Sequence, residues 1–282
     1  MNMLTTPTDA PSQSSPSDKG IAMEKRANQE IHLKVENLSR EFGGVHAIAD
    51  LSFNVTKGDI HSIIGPNGAG KTTLFNLITG VYKPSAGRVL FKGQDVAGKP
   101  PYQLARMGMS RTFQNLQIFF NMTAIENVMV GRHLHLDGRL LPALFRFPGM
   151  VRRDRQAREV SAELMERVGL GRFIDAEASA MPYGALKRLE IARALAADPA
   201  LLLLDEPAAG LNATESREID EVIKSVAASG ITVILVEHDM KMVMGISDHI
   251  TAINYGRKLA EGTPAEVAEN PDVVAAYLGA SA

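Results

Sequence analysis

The hydrophobic pattern changes period along the chain, and the change separates two kinds of strand. From residue 31, Ile31, Leu33 and Val35 alternate with His32, Lys34 and Glu36. Leu51, Phe53 and Val55 repeat the pattern ahead of a turn at Lys57-Gly58-Asp59, and Val89-Leu90-Phe91 follows Gly87. A period of two with one polar face predicts half-buried strands of an antiparallel sheet. Ile60 to Ile64, Leu201 to Leu204 and Ile231 to Val236 lack this alternation. Such short unbroken runs predict central strands of a parallel sheet covered by helices. They lead into a glycine-rich loop, Asp205-Glu206 and Glu237-His238, respectively. Ligands of open α/β sheets lie outside the carboxyl ends of the strands, so the three ends are expected to converge on one site.

Between these halves, roughly 115–180 predicts mostly helix. Arg132 to Met150 places Leu136, Leu140, Leu141, Leu144 and Phe145 among Arg and His. A long loop around 131–152 is expected there, as an insertion within a domain. Met240, Met242 and Met244 read as helix core, and no repeat of solenoid period occurs. Residues 1–29 are rich in Ser, Thr, Pro, Asp and Gln; they bury too little apolar surface to offset their ordering entropy and are expected to be a disordered tail. Met23 stands just ahead of the first strand as an equal candidate for the start of translation.

Composition narrows the classes. The chain has 282 residues, 45% hydrophobic and 22% charged, with 30 basic against 32 acidic side chains. A net charge of -2 excludes the broad basic surface of a nucleic-acid binder, so no nucleic-acid partner is expected. The absence of Cys excludes disulfides, thiolate nucleophiles and Cys-type zinc sites. No apolar run reaches the ~18 to 20 residues of a membrane-spanning helix, and the N-terminus lacks the apolar stretch of a secretory signal. A cytoplasmic protein is expected, with any membrane role requiring a partner.

The chemistry begins at Gly65-Pro66-Asn67-Gly68-Ala69-Gly70-Lys71-Thr72, with Thr73 next, which fits G-x-x-x-x-G-K-[ST]. Its glycines let successive N–H groups point around phosphate oxygens. Lys71 is placed for the β- and γ-phosphates and the Thr72 hydroxyl for Mg²⁺. A helix should follow, because Leu74, Leu77 and Ile78 share a face and Gly80 offers a C-terminal cap. Asp205, at the end of an aliphatic strand, can hold Mg²⁺ directly or through water; Glu206 can orient or deprotonate the attacking water. The plainer readings are a chance glycine turn and an acidic strand end that caps a turn. His133 and His135 suggest a metal site only weakly, since Asp137 is the one candidate ligand beside them.

The run from this loop through Gln114, Gly184, Asp205-Glu206-Pro207 and His238 resembles an ATP-binding cassette (ABC) ATPase, over nearly everything from residue 31 onward. The resemblance implies an α/β P-loop NTPase with a RecA-like parallel-sheet core, an antiparallel β subdomain and a helical subdomain. The cassette would span 30–282: 30–113 and 181–282 as nucleotide-binding core with the β subdomain, 114–180 as helical subdomain with the insertion near 131–155. ATP and Mg²⁺ are implied, with Thr72, Gln114 and Asp205 about the metal. By position, Phe42 would stack on adenine, Gln114 would join the Mg²⁺ and water site, and His238 would bond the γ-phosphate and hold the water. Without that context Phe42 is core, Gln114 a surface residue and His238 structural.

The family signature Leu-Ser-Gly-Gly-Gln is replaced by Met181-Pro182-Tyr183-Gly184-Ala185. In the family this motif reaches the γ-phosphate on a second subunit. Pro182 has neither hydroxyl nor N–H, whereas the Gly184 N–H and the helix dipole remain as anion donors. Ala209-Gly210-Leu211-Asn212 likewise departs from Ser-Ala-Leu-Asp. Together with Arg111-Thr112-Phe113-Gln114-Asn115 and Ala276-Tyr277-Leu278-Gly279, these departures are similar to the ATPase subunit of branched-chain amino acid importers. That implies two integral-membrane permeases, a second ATPase subunit or a second copy, indirectly a periplasmic binding protein, and a peripheral place on the inner face of the plasma membrane. Import of urea, amides or aromatic acids, lipopolysaccharide-type export, and a non-hydrolysing interaction module stay open. Ile118, Phe119 and Phe120 are either the surface that couples to a permease or ordinary core.

Overall fold

The computed structural model describes residues 30–135 and 148–279. Expectations about 1–29, and about Leu136, Asp137, Leu140, Leu141, Leu144 and Phe145, lie outside the described residues. Strands β1 (Ile31–Phe42), β2 (Val45–Thr56) and β3 (Ile60–Ile64) lead into helix α1 (Lys71–Ile78). β4 (Ala86–Phe91), β5 (Gln94–Asp95), α2 (Pro101–Arg106) and β6 (Met109–Arg111) follow. The middle of the chain carries α3 (Ala124–Gly131), α4 (Pro148–Arg167) and α5 (Tyr183–Leu195). Then come β7 (Leu201–Asp205), α6 (Ala213–Ala228), β8 (Thr232–Val236), α7 (Met240–Ile246), β9 (His249–Asn254), β10 (Arg257–Gly262), α8 (Pro264–Ala268) and α9 (Pro271–Gly279).

The two periods of the sequence become two sheets. One has order β2-β1-β4-β5, with antiparallel neighbours. The other has order β10-β9-β3-β8-β7-β6; it is parallel throughout except for β10. The three unbroken runs are its centre, and β3, β7 and β8 are buried along their whole length. Alternate residues of these strands face different cores. Leu202, Leu204, Val233 and Leu235 pack with the helices α3, α5 and α6. Leu201, Leu203, Ile234 and Val236 pack with α1 and the antiparallel sheet. A strand covered on both sides is buried at every position, so alternation disappears there; the polar exceptions in β3, His61 and Ser62, are hydrogen-bonded to Thr251 and Ser247.

The expected loop at 148–152 is instead the start of α4. Arg152, Asp154 and Arg155 are exposed, while Ala157, Ser161, Met165 and Val168 recur at helical spacing and are buried. The charged first turns show no apolar period, yet Arg, Gln and Ala are good helix formers. Residues Arg132–His135 form a 3₁₀ turn after α3. Met242 is buried, and Met240 and Met244 pack half-buried around the third core cluster. Among the described residues, no helix is long and apolar enough to cross a membrane.

Candidate functional site

The loop between β3 and α1 is shaped by close backbone approach. Gly68 and Gly70 have φ of 80° and 105°, in the left-handed region that favours glycine. A Cβ at Gly65 would lie 2.2 Å from the Ile253 carbonyl, and one at Gly70 would lie 2.6 Å from that of Ala47. Side chains at these positions would push the loop off the strands behind it. Lys71, 7% exposed, donates from Nζ to the carbonyls of Gly65 at 2.6 Å and Pro66 at 3.1 Å. Burial pushes its ammonium below the usual lysine range, against the attraction of Glu206 and Asp205. From α9, Tyr277 brings its hydroxyl within hydrogen-bonding reach of the Gly65 main chain; burial pushes its phenol up. At the far end of α1, Gly80 (φ 73°) breaks the helix as its sequence position predicts.

A cavity of about 540 Å³ opens over this loop. Asn67, Gly68, Ala69, Gly70, Lys71, Thr72 and Thr73 line one side; Gln114, Glu206 and His238 line another. The last three form one hydrogen-bonded chain. Gln114 Nε2 donates to Glu206 Oε2 at 2.9 Å, and His238 Nε2 lies 2.5 Å from Glu206 Oε1. Glu206 holds φ 49°, an unusual conformation for a side chain with a Cβ, at the point where β7 ends. Its N–H is fixed on the Val236 carbonyl at 2.9 Å. Glu237 ties the two loops together: its carboxylate accepts from Ala208 N at 2.8 Å and His238 N at 3.0 Å. Burial raises its pKa, and these amides pull it back down.

The ABC transporter family profile matches residues 48–209, and the profile of the branched-chain amino acid ATP-binding cassette transporter matches 257–282. The chain is 46% identical over 248 residues to the high-affinity branched-chain amino acid transport ATP-binding protein BraF of Pseudomonas aeruginosa. It is equally identical to LivG of Escherichia coli, with 88% of this chain and 97% of each relative covered. The chain belongs to the ABC transporter family. An ATP-binding cassette of an ABC transporter, MJ1267, solved in its ADP conformation, superposes with a TM-score of 0.77 at 33% identity over 89% of this chain and 99% of that one. The described architecture is therefore that of an ABC ATPase, and its chemistry is ATP hydrolysis.

Other cassette residues lie apart from the cavity. Phe42 does not line it; the ring is 39% exposed, meets Tyr82 edge-on at 5.3 Å and has the Arg40 guanidinium 4.4 Å above it. The cavity wall nearest in sequence is Val45, His46 and Ala47. Gly184, in the first turn of α5, also lies outside the cavity lining. A Cβ there would lie 2.6 Å from Glu215 Oε1. Asp205, 4% exposed, sits behind the phosphate loop and receives Arg111 Nη2 at 2.8 Å.

Arg111 is the residue that sequence reading passed over. It also donates to Asn76 Oδ1 at 2.6 Å and Thr79 Oγ1 at 3.1 Å, and its guanidinium lies 5.5 Å from the Phe75 ring and 4.9 Å from that of Phe113. Its role depends on β6 pairing with β7, which spacing along the chain does not reveal.

A second cavity of about 480 Å³ lies beyond Gln114, lined by Phe113, Leu116, Ile118, Phe119, Glu190 and Arg193 among others. Ile118 is buried within it, while Phe119 and Phe120 are 44% and 49% exposed. His133 also lines this groove, its Nδ1 3.1 Å from the Val130 carbonyl. No group of three His, Cys, Asp or Glu able to hold a metal occurs among the described residues; the side chain of His135 lies outside them.

Proposed function

We propose that this chain is the ATP-hydrolysing subunit of an importer for branched-chain amino acids. The observation that carries the catalytic part is Glu206 held between Gln114 and His238 over the phosphate loop. With both carboxylate oxygens anchored, Glu206 is oriented to accept a proton from water attacking the γ-phosphate. His238 and the loop amides, with Lys71, supply donors to the phosphate oxygens. Asn67 through Thr73 place the triphosphate at the N-terminus of α1, where the helix dipole favours the anion. The donors suit magnesium: the Thr72 hydroxyl, the Asp205 carboxylate and the Gln114 amide are hard oxygens, and Arg111 fixes one Asp205 oxygen in place. When bound, the ion would neutralise negative charge on the phosphates.

The cargo rests on the names of the relatives and on the C-terminal profile match. Two integral-membrane permeases and a second ATPase subunit, or a second copy, complete the assembly, with a periplasmic binding protein delivering the amino acid. The chain then sits on the inner face of the plasma membrane through its permeases. The groove beside Gln114, with Phe119 and Phe120, is the docking surface for them. Phe42, outside the cavity lining but three residues before Val45 of its wall, would stack on an adenine that extends past that wall. Gly184 serves a nucleotide held by the other ATPase, in keeping with its place outside this chain's own cavity. Pro182 weakens that service, so the two nucleotide sites are unequal where the other ATPase is a different chain with an intact signature. Glu206→Gln is expected to lower ATP turnover of the assembly about 100-fold or more while nucleotide binding persists. The matching change in the other ATPase should cost much less. Equal losses would refute the inequality, and unchanged turnover in Glu206→Gln would refute the role of Glu206. Uptake of labelled leucine, set beside urea and benzoate in a deletion strain, tests the cargo.

A further inference from the structure

Helix α5 starts with Tyr183 and Gly184 and passes beneath the segment that carries Gln114. That segment, 113–117, belongs to no helix or strand, so its main-chain groups have no ladder to satisfy them. Three side chains of α5, three residues apart on one face, reach it instead. Lys187, 2% exposed, donates from Nζ to the Gln114 carbonyl at 3.2 Å. Arg193 donates from Nη1 to the Gln117 carbonyl. Between them lies Glu190, buried, with the N–H groups of Phe113 and Gln117 within reach of its carboxylate. Arg193 Nη2 stands 3.9 Å from Glu190 Oε1.

Buried charges are costly unless they are paired and hydrogen-bonded. Apolar residues would pack α5 against its neighbours at no such cost. Lys187 and Arg193 are accounted for by the carbonyls they hold; burial pushes the Glu190 carboxyl up, and its Oε1 has Arg193 at 3.9 Å but no hydrogen bond. Lys187 adds a link toward the signature, its Nζ lying 5.8 Å from the Tyr183 ring. At the other end of the same residue, Gln114 Nε2 holds Glu206. Glu190 and Arg193 also line the groove with Phe113 and Phe119, so an occupant of that groove would touch the same cluster.

We propose that Lys187, Glu190 and Arg193 are positioning residues for Gln114, tying its main chain to α5 so that Gln114 and Gly184 move as one body. The proposal rests on the reading of Gln114 as part of the hydrolytic site. It is tested on the full chain with Lys187→Met, Glu190→Leu and the conservative Glu190→Gln, each alone and combined with Gln114→Ala. Steady-state ATP turnover and binding of a fluorescent ATP analogue are measured for every variant. Lys187→Met and Glu190→Leu are expected to lower kcat about tenfold with KM within about twofold, because neither residue touches the phosphate loop. Glu190→Gln should retain most of the activity.

In the Gln114→Ala background, neither change should lower kcat further, as expected of residues acting through one group. Losses that multiply in that background, or a parallel fall in nucleotide affinity, would mark a merely structural role and overturn the proposal. If Glu190→Leu does not fold, Lys187→Met carries the cycle. Unchanged turnover in Gln114→Ala alone would remove the assignment of Gln114 and the clamp with it. A loss there combined with multiplying losses elsewhere removes the clamp only.

Discussion

Burial drives the imidazole of His61 down to about 3, from an ordinary 6.5, with the nearby charge of His249 adding to the effect. The ring lies inside β3, its Nε2 2.9 Å from Thr251 Oγ1, stacked on Phe53 at 5.6 Å. In the unfolded chain the same ring takes a proton near pH 6.5, so stability is lost as pH falls below that value and continues to fall toward 3. Between about pH 7.5 and 5 the loss is about 2 kcal/mol, at 1.36 kcal/mol per pH unit. Urea unfolding at the two pH values should show this difference shrinking in His61→Leu; an unchanged difference would show that the ring titrates normally. Arg111 makes the opposite kind of contribution. Replacing it with Ala leaves the Asp205 carboxylate buried without its guanidinium partner, which costs about 3 to 5 kcal/mol. Adding Asp205→Asn should recover most of that loss in chemical denaturation, because the unpaired charge is gone. Equal stability of the single and double variants would show that the pairing is not the cause.

At the scale of elements, the spacing of α3 and α5 is set by a glycine. A Cβ on Gly131, the last residue of α3, would lie 2.1 Å from the Arg193 carbonyl and 2.9 Å from Ala196 Cβ. Gly131→Ala must therefore push the two helices apart, at a cost of about 1 to 3 kcal/mol, read as a lowered thermal midpoint. Gly245 in α7 is the control: an added methyl meets nothing within 4 Å. Gly245→Ala should raise stability by about 0.5 to 1 kcal/mol through helix propensity alone. If both changes had the same sign, close helix approach would not be what Gly131 provides. The N-terminus of α6 is held differently, by a capping box in which Asn212 accepts from Thr214 and Glu215 while Glu215 returns to the Asn212 N–H. Glu215 is also the side chain packed on Gly184, so the start of α6 and the start of α5 share one residue.

At the scale of the whole molecule, two cavities lie on either side of Gln114: one over the phosphate loop and one lined by aromatic and apolar side chains together with Arg111, Glu190 and Arg193. A ligand in the first and a protein in the second can each act on Gln114 without touching one another. Phe120, about half exposed and next in the chain to Phe119 of that lining, tests the surface beside the second. In the assembled transporter, Phe120→Asp should lower uptake at least about tenfold, by placing a charge in an apolar interface. Nucleotide affinity of the chain alone should stay within about twofold. Normal uptake would show that permeases dock elsewhere.

The sequence by itself determined the parts whose physics is local. Period-two alternation marked β1, β2 and β4, and unbroken apolar runs marked β3, β7 and β8. The glycines and Lys71 marked the phosphate loop, because backbone conformation and charge at consecutive positions leave a signature in consecutive letters. Tertiary structure decided what depends on pairing across the chain. β6 is three residues long with one buried apolar side chain, and only its register beside β7 brings Arg111 to Asp205. Glu237 reads as a strand end, yet it bridges two loops separated by 29 residues. Lys187, Glu190 and Arg193 carry no signal in consecutive letters; only the packing of α5 against 113–117 shows what these side chains hold. Neighbours in space, and the loss of water that comes with them, are fixed only when the sheets and helices close on each other.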